Sequence, residues 1–379
     1  MAPWTIELIE TGPLGGAEPS GDPLLTGLGA ALALRGHRVR LLDASGRPGP
    51  PIAGLTVVRV PLPAPKRGGR IEPASLGRNV ADFLEPHADL VVGRDAILGA
   101  LDLPAPTGGR PALVLLLDDA AARGFDPRPA RAGELGLRGR VGGWLDGRAR
   151  RRLQDRALER ARIVLATSER LRGSLSKVHG LPSGRIALLP NAVAAPVDVG
   201  SRSQARQALK LPMDVEAVAF LGENAESDGL RDAIAAFRRV RPLFPGARLL
   251  VVGSPARPEP GVMALGEGDA ATRARVLRAS DVALFPARDG ASGDATRQAM
   301  RSGVASVVSR HVPLDGIDPD RMVRLVPGDD PGDYASALAE LFAVPQRRKE
   351  IARAGATYAE GLTFEKMAEA FEGRLAGVL

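Results

Sequence analysis

The chain has 379 residues, about two domains at roughly 150 residues each, and its 44% hydrophobic content is enough for two sizeable cores. Aromatic residues make up only 3%, so those cores are built from Leu, Val, Ala and Ile; the scarcity argues against recognition of bases or carbohydrate mainly by stacking, and no nucleic-acid partner is expected. The formal net charge is +7, cysteine is absent and the four histidines stand far apart, which removes disulfides, thiolate nucleophiles, iron–sulfur clusters and any spaced zinc motif.

The N-terminal MAPWTIELIE lacks a basic segment followed by an apolar one, and no uncharged apolar run approaches about 18 residues. The expected location is cytoplasmic, with peripheral contact at the inner face of a membrane as the only membrane option. Arginines thicken between Arg138 and Arg162. They read either as a solvated face or as a basic face for an anionic surface. Because they cover more than one side of a helix, they do not form a neat amphipathic anchor.

In chain order, Ile6 to Ile9 predicts a strand, followed by a loop with Gly15-Gly16 and a helix from about Pro23 to Arg35 capped by Asp22. Strands follow at Val39 to Leu42 and Leu55 to Val60, and the apolar runs Asp89 to Gly93 and Ala112 to Leu117 read as buried parallel strands. Residues 121–146 are rich in Gly, Pro and Arg and read as a surface excursion, with a basic helix from Gly147 to Arg162 after it. A strand at Ile163 to Thr167, a helix at Ser168 to Val178 and a strand at Ile186 to Leu189 complete the first half, and Ala192 to Ser203 reads as the linker.

The second half repeats the pattern. A short helix at Ser203 to Leu209 precedes strands at Val215 to Leu221, Ala247 to Val252, Val262 to Leu265, Val282 to Phe285 and Ala305 to Ser309. The helices between them are predicted at Gly229 to Arg241, Thr272 to Ala279 and Ala295 to Ser302. Terminal helices run from about Asp333 to Glu360, broken near Pro345, and from Thr363 to Leu379. Alternating β and α elements imply a doubly wound α/β fold.

Glycine or proline recurs just past strand ends, where open α/β sheets bind ligands. Gly15-Gly16 is either a tight turn or a close approach of backbone to a phosphate or sugar. Gly27-Leu-Gly29 is no dinucleotide fingerprint, for it lacks a third glycine and falls inside the predicted helix. Gly222, Glu223, Gly253 and Gly266 lie at the ends of successive strands, and the loop from Arg288 through Asp289, Gly290 and Gly293 opens a helix carrying Arg297 and Gln298. Such a loop either presents amides to an anion or is a long connection. Asp118-Asp119 reads as a helix cap, a cation ligand or an acid–base pair.

These segments resemble the GT-B glycosyltransferases of family 4. The match runs through Gly15-Gly16-Ala-Glu18, Leu34-Arg-Gly-His37, Leu189-Pro-Asn191, Phe220-Leu-Gly222-Glu223, Asp228-Gly229, the strand closed by Gly253, Arg278-Ala-Ser-Asp281, Asp289-Gly290 to Gly293, and Gln298-Ala-Met300 before Gly303. The resemblance implies two Rossmann-like doubly wound domains facing across a cleft: an acceptor-side domain over 1–195, a nucleotide-sugar domain over 196–362, and a helix over 363–379 packing back toward the first domain. It implies transfer of a hexosyl group from a nucleotide-diphosphate sugar to a glycan, lipid or small-molecule acceptor, with retention and with no tightly bound cofactor or metal.

In the resembled family the donor diphosphate is held by an arginine and a lysine, which stand here as Glu223 and Asp228. The ribose glutamate is Gln298, the earlier glutamate is Gly290 or Asp289, and the histidine near the transferred sugar is Asp118, with Asp119 next. The expected site is therefore Asp118, Asp119, Asp289 and Gln298 for chemistry. Gly15, Gly16, Gly222, Glu223, Asp228, Gly253, Gly266, Arg288, Gly290, Gly293 and Arg297 are expected around the donor. Arg288 and Arg297 are the candidates to replace the lost positive charge, and a divalent metal bridging the acids would be unlike the family. The alternative is a catalytically silent relative serving as a binding or scaffold module, as a homodimer or with a protein partner.

Overall fold

A computed structural model describes residues 2–11, 22–46, 52–64, 72–101, 103, 111–118, 151–222, 225–254, 256–288 and 293–377. The first unit holds Met1–Ala192 together with Phe364–Leu379, and the second holds Val193–Thr363.

In the first unit, strands β1 (Thr5–Glu10), β2 (Arg38–Asp43), β3 (Thr56–Arg59), β4 (Leu90–Gly93), β5 (Ala112–Leu117), β6 (Ile163–Ala166) and β7 (Ile186–Leu188) form one parallel sheet in the order β3-β2-β1-β4-β5-β6-β7. Helices α1 (Pro23–Leu34), α2 (Pro73–Ala81), α3 (residues 151–160) and α4 (Glu169–His179) make the crossovers. The central strands β1, β4, β5 and β6 bury both faces, as strands of a parallel sheet covered by helices do, while the edge strand β3 is largely exposed. Ile6, Leu8, Leu90, Val92, Val114 and Leu116 point into one core, and Ile9, Val91, Leu113, Leu115 and Leu117 into the other. Asp22 caps α1 by accepting from the Leu24 and Leu25 amides, and Ser168 caps α4 through the Leu171 amide.

The terminal helix α11 (Phe364–Leu375) completes the first core with Met367, Ala368, Phe371 and Leu375. Two glycines inside α1 make room for its neighbours. A Cβ on Gly27 would stand 2.3 Å from the Phe364 ring, and one on Gly29 would stand 2.4 Å from Leu8. His37 adds a polar latch: the Trp4 amide donates to Nδ1 at 3.0 Å, which leaves the ring proton on Nε2 to donate to Glu372 at 2.9 Å. Arg35 grips the same carboxylate with two bonds of 2.7 and 2.6 Å.

The second unit repeats the plan with β8 (Ala217–Leu221), β9 (Arg248–Val252), β10 (Val262–Ala264), β11 (Val282–Phe285), β12 (Ala305–Ser309) and β13 (Arg324–Val326), parallel in the order β10-β9-β8-β11-β12-β13. Its helices are α5 (Arg202–Ala208), α6 (Leu230–Val240), α7 (Ala270–Ala279), α8 (Asp294–Arg301), α9 (Pro331–Ala343) and α10 (Pro345–Glu360). The helix expected from Asp333 starts earlier, at Pro331, where Asp330 caps it through the Gly332 amide. Val344, with non-helical dihedrals, divides it from α10, as a proline at the next position requires. At the amino edge, buried Arg206 spans from α5 to the sheet, bonding the carbonyls of Ala279, Pro212, Met213 and Val215 and the Asp281 carboxylate. Asp281 also accepts from the Ala217 amide, so one carboxylate joins β8, β11 and α5.

One buried acid runs against this economy. Glu7 on β1 is fully enclosed, and no well-aligned hydrogen bond reaches either carboxylate oxygen, although Arg40 Nη1 on β2 lies 3.1 Å away. Burial pushes its pKa up to about 7 from an ordinary 4.5, with Arg40 opposing and Glu85 reinforcing the rise. A folded-state pKa above the unfolded one stabilises the protein at low pH, and that stability is lost as pH rises through about 7. The shift corresponds to a loss on the order of 3 kcal/mol. Urea unfolding should therefore show the native protein weakening between pH 5.5 and 8 more steeply than Glu7→Gln, with the variant the more stable of the two at pH 8. Parallel pH profiles would contradict this account of Glu7.

Candidate functional site

In a doubly wound sheet the crossovers leave in opposite directions from two adjacent central strands, which opens a crevice at their carboxyl ends. The strand orders place that switch point between β8 and β11 in the second unit and between β1 and β4 in the first.

At the β8–β11 switch point, β8 ends at Gly222, whose amide bonds the Val252 carbonyl and whose own carbonyl accepts from Ser254 Oγ at 2.6 Å. Asp228 lies over Gly222, since a Cβ on Gly222 would stand 2.9 Å from the Asp228 Cβ. Gly229 then heads α6 at φ 79°, with no side-chain cap. The position requires glycine twice over, because a Cβ would also strike the Pro286 carbonyl that follows β11. The Arg288 amide bonds the Ser227 carbonyl at 3.0 Å, closing the two strand-end loops onto one another.

Arg288 is the cation of this edge. Its Nε and Nη2 meet the two oxygens of Asp232 at 2.6 and 2.9 Å, a bidentate pair, yet the side chain stays 58% exposed. The Asp232 carboxylate raises the guanidinium pKa above its ordinary value. Asp232 is itself buried in the first turn of α6, so the arginine is fixed from below by a helix end and presented to solvent. The next loop enters α8 through Gly293, again at positive φ and again without a side-chain cap. Two helix N-termini headed by glycine thus stand at adjacent strand ends with their positive dipole ends toward the switch point, although in α6 the Leu230 and Asp232 amides already bond the Ala225 and Gly229 carbonyls.

The other expected residues divide. Gln298 is part-buried on α8. Gly253 and Gly266 bond to each other at 2.8 Å and close the ends of β9 and β10, away from the switch point. Arg297 does not stand out to solvent: it is 2% exposed, tucked under Gly293, with Nη2 3.5 Å from the Pro313 carbonyl and Nη1 3.6 Å from Asp294. Gly15, Gly16, Asp119, Glu223, Asp289 and Gly290 lie outside the described residues, as does the 121–146 excursion. Among the described residues, no group of three or more His, Cys, Asp or Glu side chains could hold a metal ion.

In the first unit, Asp118 ends β5 and is buried, and Arg94, just past β4, meets its Oδ2 through Nη2 at 2.5 Å. The same arginine reaches both oxygens of Asp22 through Nη1, at 2.6 and 2.5 Å, and the Asp22 amide donates to Glu10 at the end of β1. One guanidinium therefore joins β4, β5 and the cap of α1 at the switch point. Burial disfavours its charge, but Asp118 and Asp22 outweigh that and hold its pKa above the ordinary value. Neither Arg94 nor Asp232 was among the residues expected from the sequence. Each could have been suspected only from its place beside a strand end or in a helix's first turn.

Removing one partner of a buried charge pair typically costs about 3–5 kcal/mol. Arg94→Met should destabilise the first unit by about that much in urea unfolding, and adding Asp118→Asn should recover part of the loss. A neutral effect of the single change would refute the clamp.

Comparison with known proteins adds the family context. A glycosyl transferase 4-like domain model matches residues 23–192, and a glycosyl transferases group 1 model matches residues 216–343. D-inositol 3-phosphate glycosyltransferase of Segniliparus rotundus is 28% identical over 54% of this chain and 50% of its own. Phosphatidyl-myo-inositol mannosyltransferase of Mycolicibacterium smegmatis is 34% identical over 43% of this chain and 46% of its own, so the chain spans about half the length of the curated relatives it matches. Among solved structures, sucrose-phosphate synthase from Thermosynechococcus elongatus has a TM-score of 0.75 at 19% identity, covering 99% and 98% of the two chains. Anabaena HepE in complex with UDP-glucose has a TM-score of 0.70 at 14% identity, covering 99% and 100%.

Proposed function

We propose that this chain, which has the GT-B fold of the glycosyltransferase superfamily, moves a hexosyl group from a nucleotide-diphosphate sugar to a glycan, lipid or small-molecule acceptor with retention of configuration. The observation that carries the reading is the carboxyl edge at β8 and β11, where Arg288 stands exposed on its Asp232 support beside two uncapped helix ends.

A departing nucleoside diphosphate needs its growing negative charge met by fixed donors. Asp228 works against that. Two unit charges 4 Å apart interact by about 4 kcal/mol at an effective dielectric near 20, so a single carboxylate at that range is a serious penalty. Arg288 is itself paired with Asp232, so these three groups sum to one negative charge, and a diphosphate relies on the open face of the Arg288 guanidinium and on the dipoles of the two helix ends. Gln298 supplies hydrogen bonds to a ribose hydroxyl where a glutamate would give stronger, charge-assisted ones. HepE, a relative in fold, binds UDP-glucose, which makes a uridine diphosphate sugar the first donor to test. The inositol-directed relatives make a polyol the first acceptor.

A second reading, a catalytically silent binding or scaffold module, draws support from Asp118 being engaged by Arg94 and from Arg297 being buried. Calorimetry with UDP and release of UDP from UDP-glucose separate the two. The enzyme reading expects saturable UDP binding, weakened about 10–100-fold by Arg288→Met, together with UDP release that rises when a polyol acceptor is added. Binding without release across a panel of donors and acceptors favours the scaffold. Absence of binding by any nucleoside diphosphate, with Mg²⁺ supplied, overturns the donor site itself.

A further inference from the structure

The segment that carries Arg288 leaves the sheet after Phe285, where the pairing of β11 with β12 ends. Beyond that point its backbone is held from two sides. The Arg288 amide donates to the Ser227 carbonyl at 3.0 Å, and the Ala287 carbonyl accepts from Ser309 Oγ at 2.5 Å. Ala287 and Ser309 are both buried, so the second bond is shielded from water.

The hydroxyl of Ser309, which closes β12, has every site in use. A serine hydroxyl has one proton to give and two lone pairs to offer. Here the proton goes to Ala287, and one lone pair accepts from the His311 amide at 3.2 Å. Tyr334 bonds the same hydroxyl, and because Ser309 has already given its proton, the phenol is the donor. Burial pushes the Tyr334 pKa up to about 12, so that proton stays in place at any pH used in a binding assay. Tyr334 lies in the first turn of α9, enclosed in the core shared with α6, and its phenol also feels the charges of Asp232 and Arg288.

Ser309 and Tyr334 are enclosed, so neither can touch a ligand. Packing alone does not call for their hydroxyls, because a bonded polar pair replaced by apolar groups of the same shape costs a fold little. What the hydroxyls add is a fixed place for the Ala287 carbonyl, one residue before the guanidinium.

We propose that Ser309 and Tyr334 are positioning residues, which through the Ala287 carbonyl hold the segment that presents Arg288 to a nucleoside diphosphate. This role rests on the reading of the β8–β11 edge as a donor site. Its physical content is preorganisation, since a guanidinium already held in place loses less freedom when the ligand arrives.

Hydrogen exchange of the unliganded protein, read by NMR, and calorimetry with UDP test it together. Without ligand, Ser309→Ala should speed exchange at the Arg288 amide by about tenfold, while the Ala233 amide in α6 is unchanged. UDP affinity should fall by about five- to tenfold in Ser309→Ala and in Tyr334→Phe, the second of which keeps the buried ring and so spares the fold. In an Arg288→Met background neither change should weaken UDP further, because the group they act through is gone. Equal losses with and without Arg288 would mean a general loosening of the unit and overturn the positioning role. Unchanged affinity, or unchanged exchange at Arg288, overturns it while the donor site stands. Absence of UDP binding by the unaltered protein removes the donor site, and this role with it, whatever the exchange shows.

Discussion

The constraint on which the rest depends is topological. A parallel sheet wound in both directions cannot cover the carboxyl ends of its two central strands with a crossover, and whatever residues follow those strands line the gap. In each unit an arginine that follows the strand beyond the switch point is tied there by carboxylates: Arg94 by Asp22 and Asp118, Arg288 by Asp232. Their difference is exposure. Arg94 is enclosed with its carboxylate partners, whereas Arg288 is paired on one side only and keeps the other toward solvent.

Electrostatics decides what the second crevice can hold. On the proposed reading of this edge as a donor site, the Asp228 carboxylate works against a diphosphate. The helix ends at Gly229 and Gly293 oppose that with partial charges that no substitution of a side chain removes. The glycines are needed there on backbone grounds as well, since both positions sit at positive φ.

Most of the fold was legible because parallel strands are continuous apolar runs, and runs such as Ala112–Leu117 and Val282–Phe285 have the predicted bounds. The missed elements carry weak signals. In α2 only Leu76 and Val80 are buried hydrophobics, about one per turn among Gly, Arg and Asn, and β13 is three residues long. The candidate site was less legible. Its backbone features, Gly222, Gly229 and Gly293, follow from glycines placed after strands, but ion pairing is a tertiary fact. Nothing in the order of residues says that Asp118 will be claimed by Arg94, or that Arg297 will fold beneath Gly293 while Arg288 stands free of the core. Glu7 is a further case, because a charged residue in the first strand reads as solvent-facing until its neighbours on β2 and β4 enclose it.

The central claim is that a nucleoside diphosphate is held at the carboxyl edge of β8 and β11 by helix ends and Arg288. Hydrogen–deuterium exchange with and without UDP tests it most directly. The account predicts slowed exchange at the first turns of α6 and α8, and no change at the β4–β5 edge around Arg94. Protection confined to the first unit, or none at either helix end under saturating UDP, would contradict it.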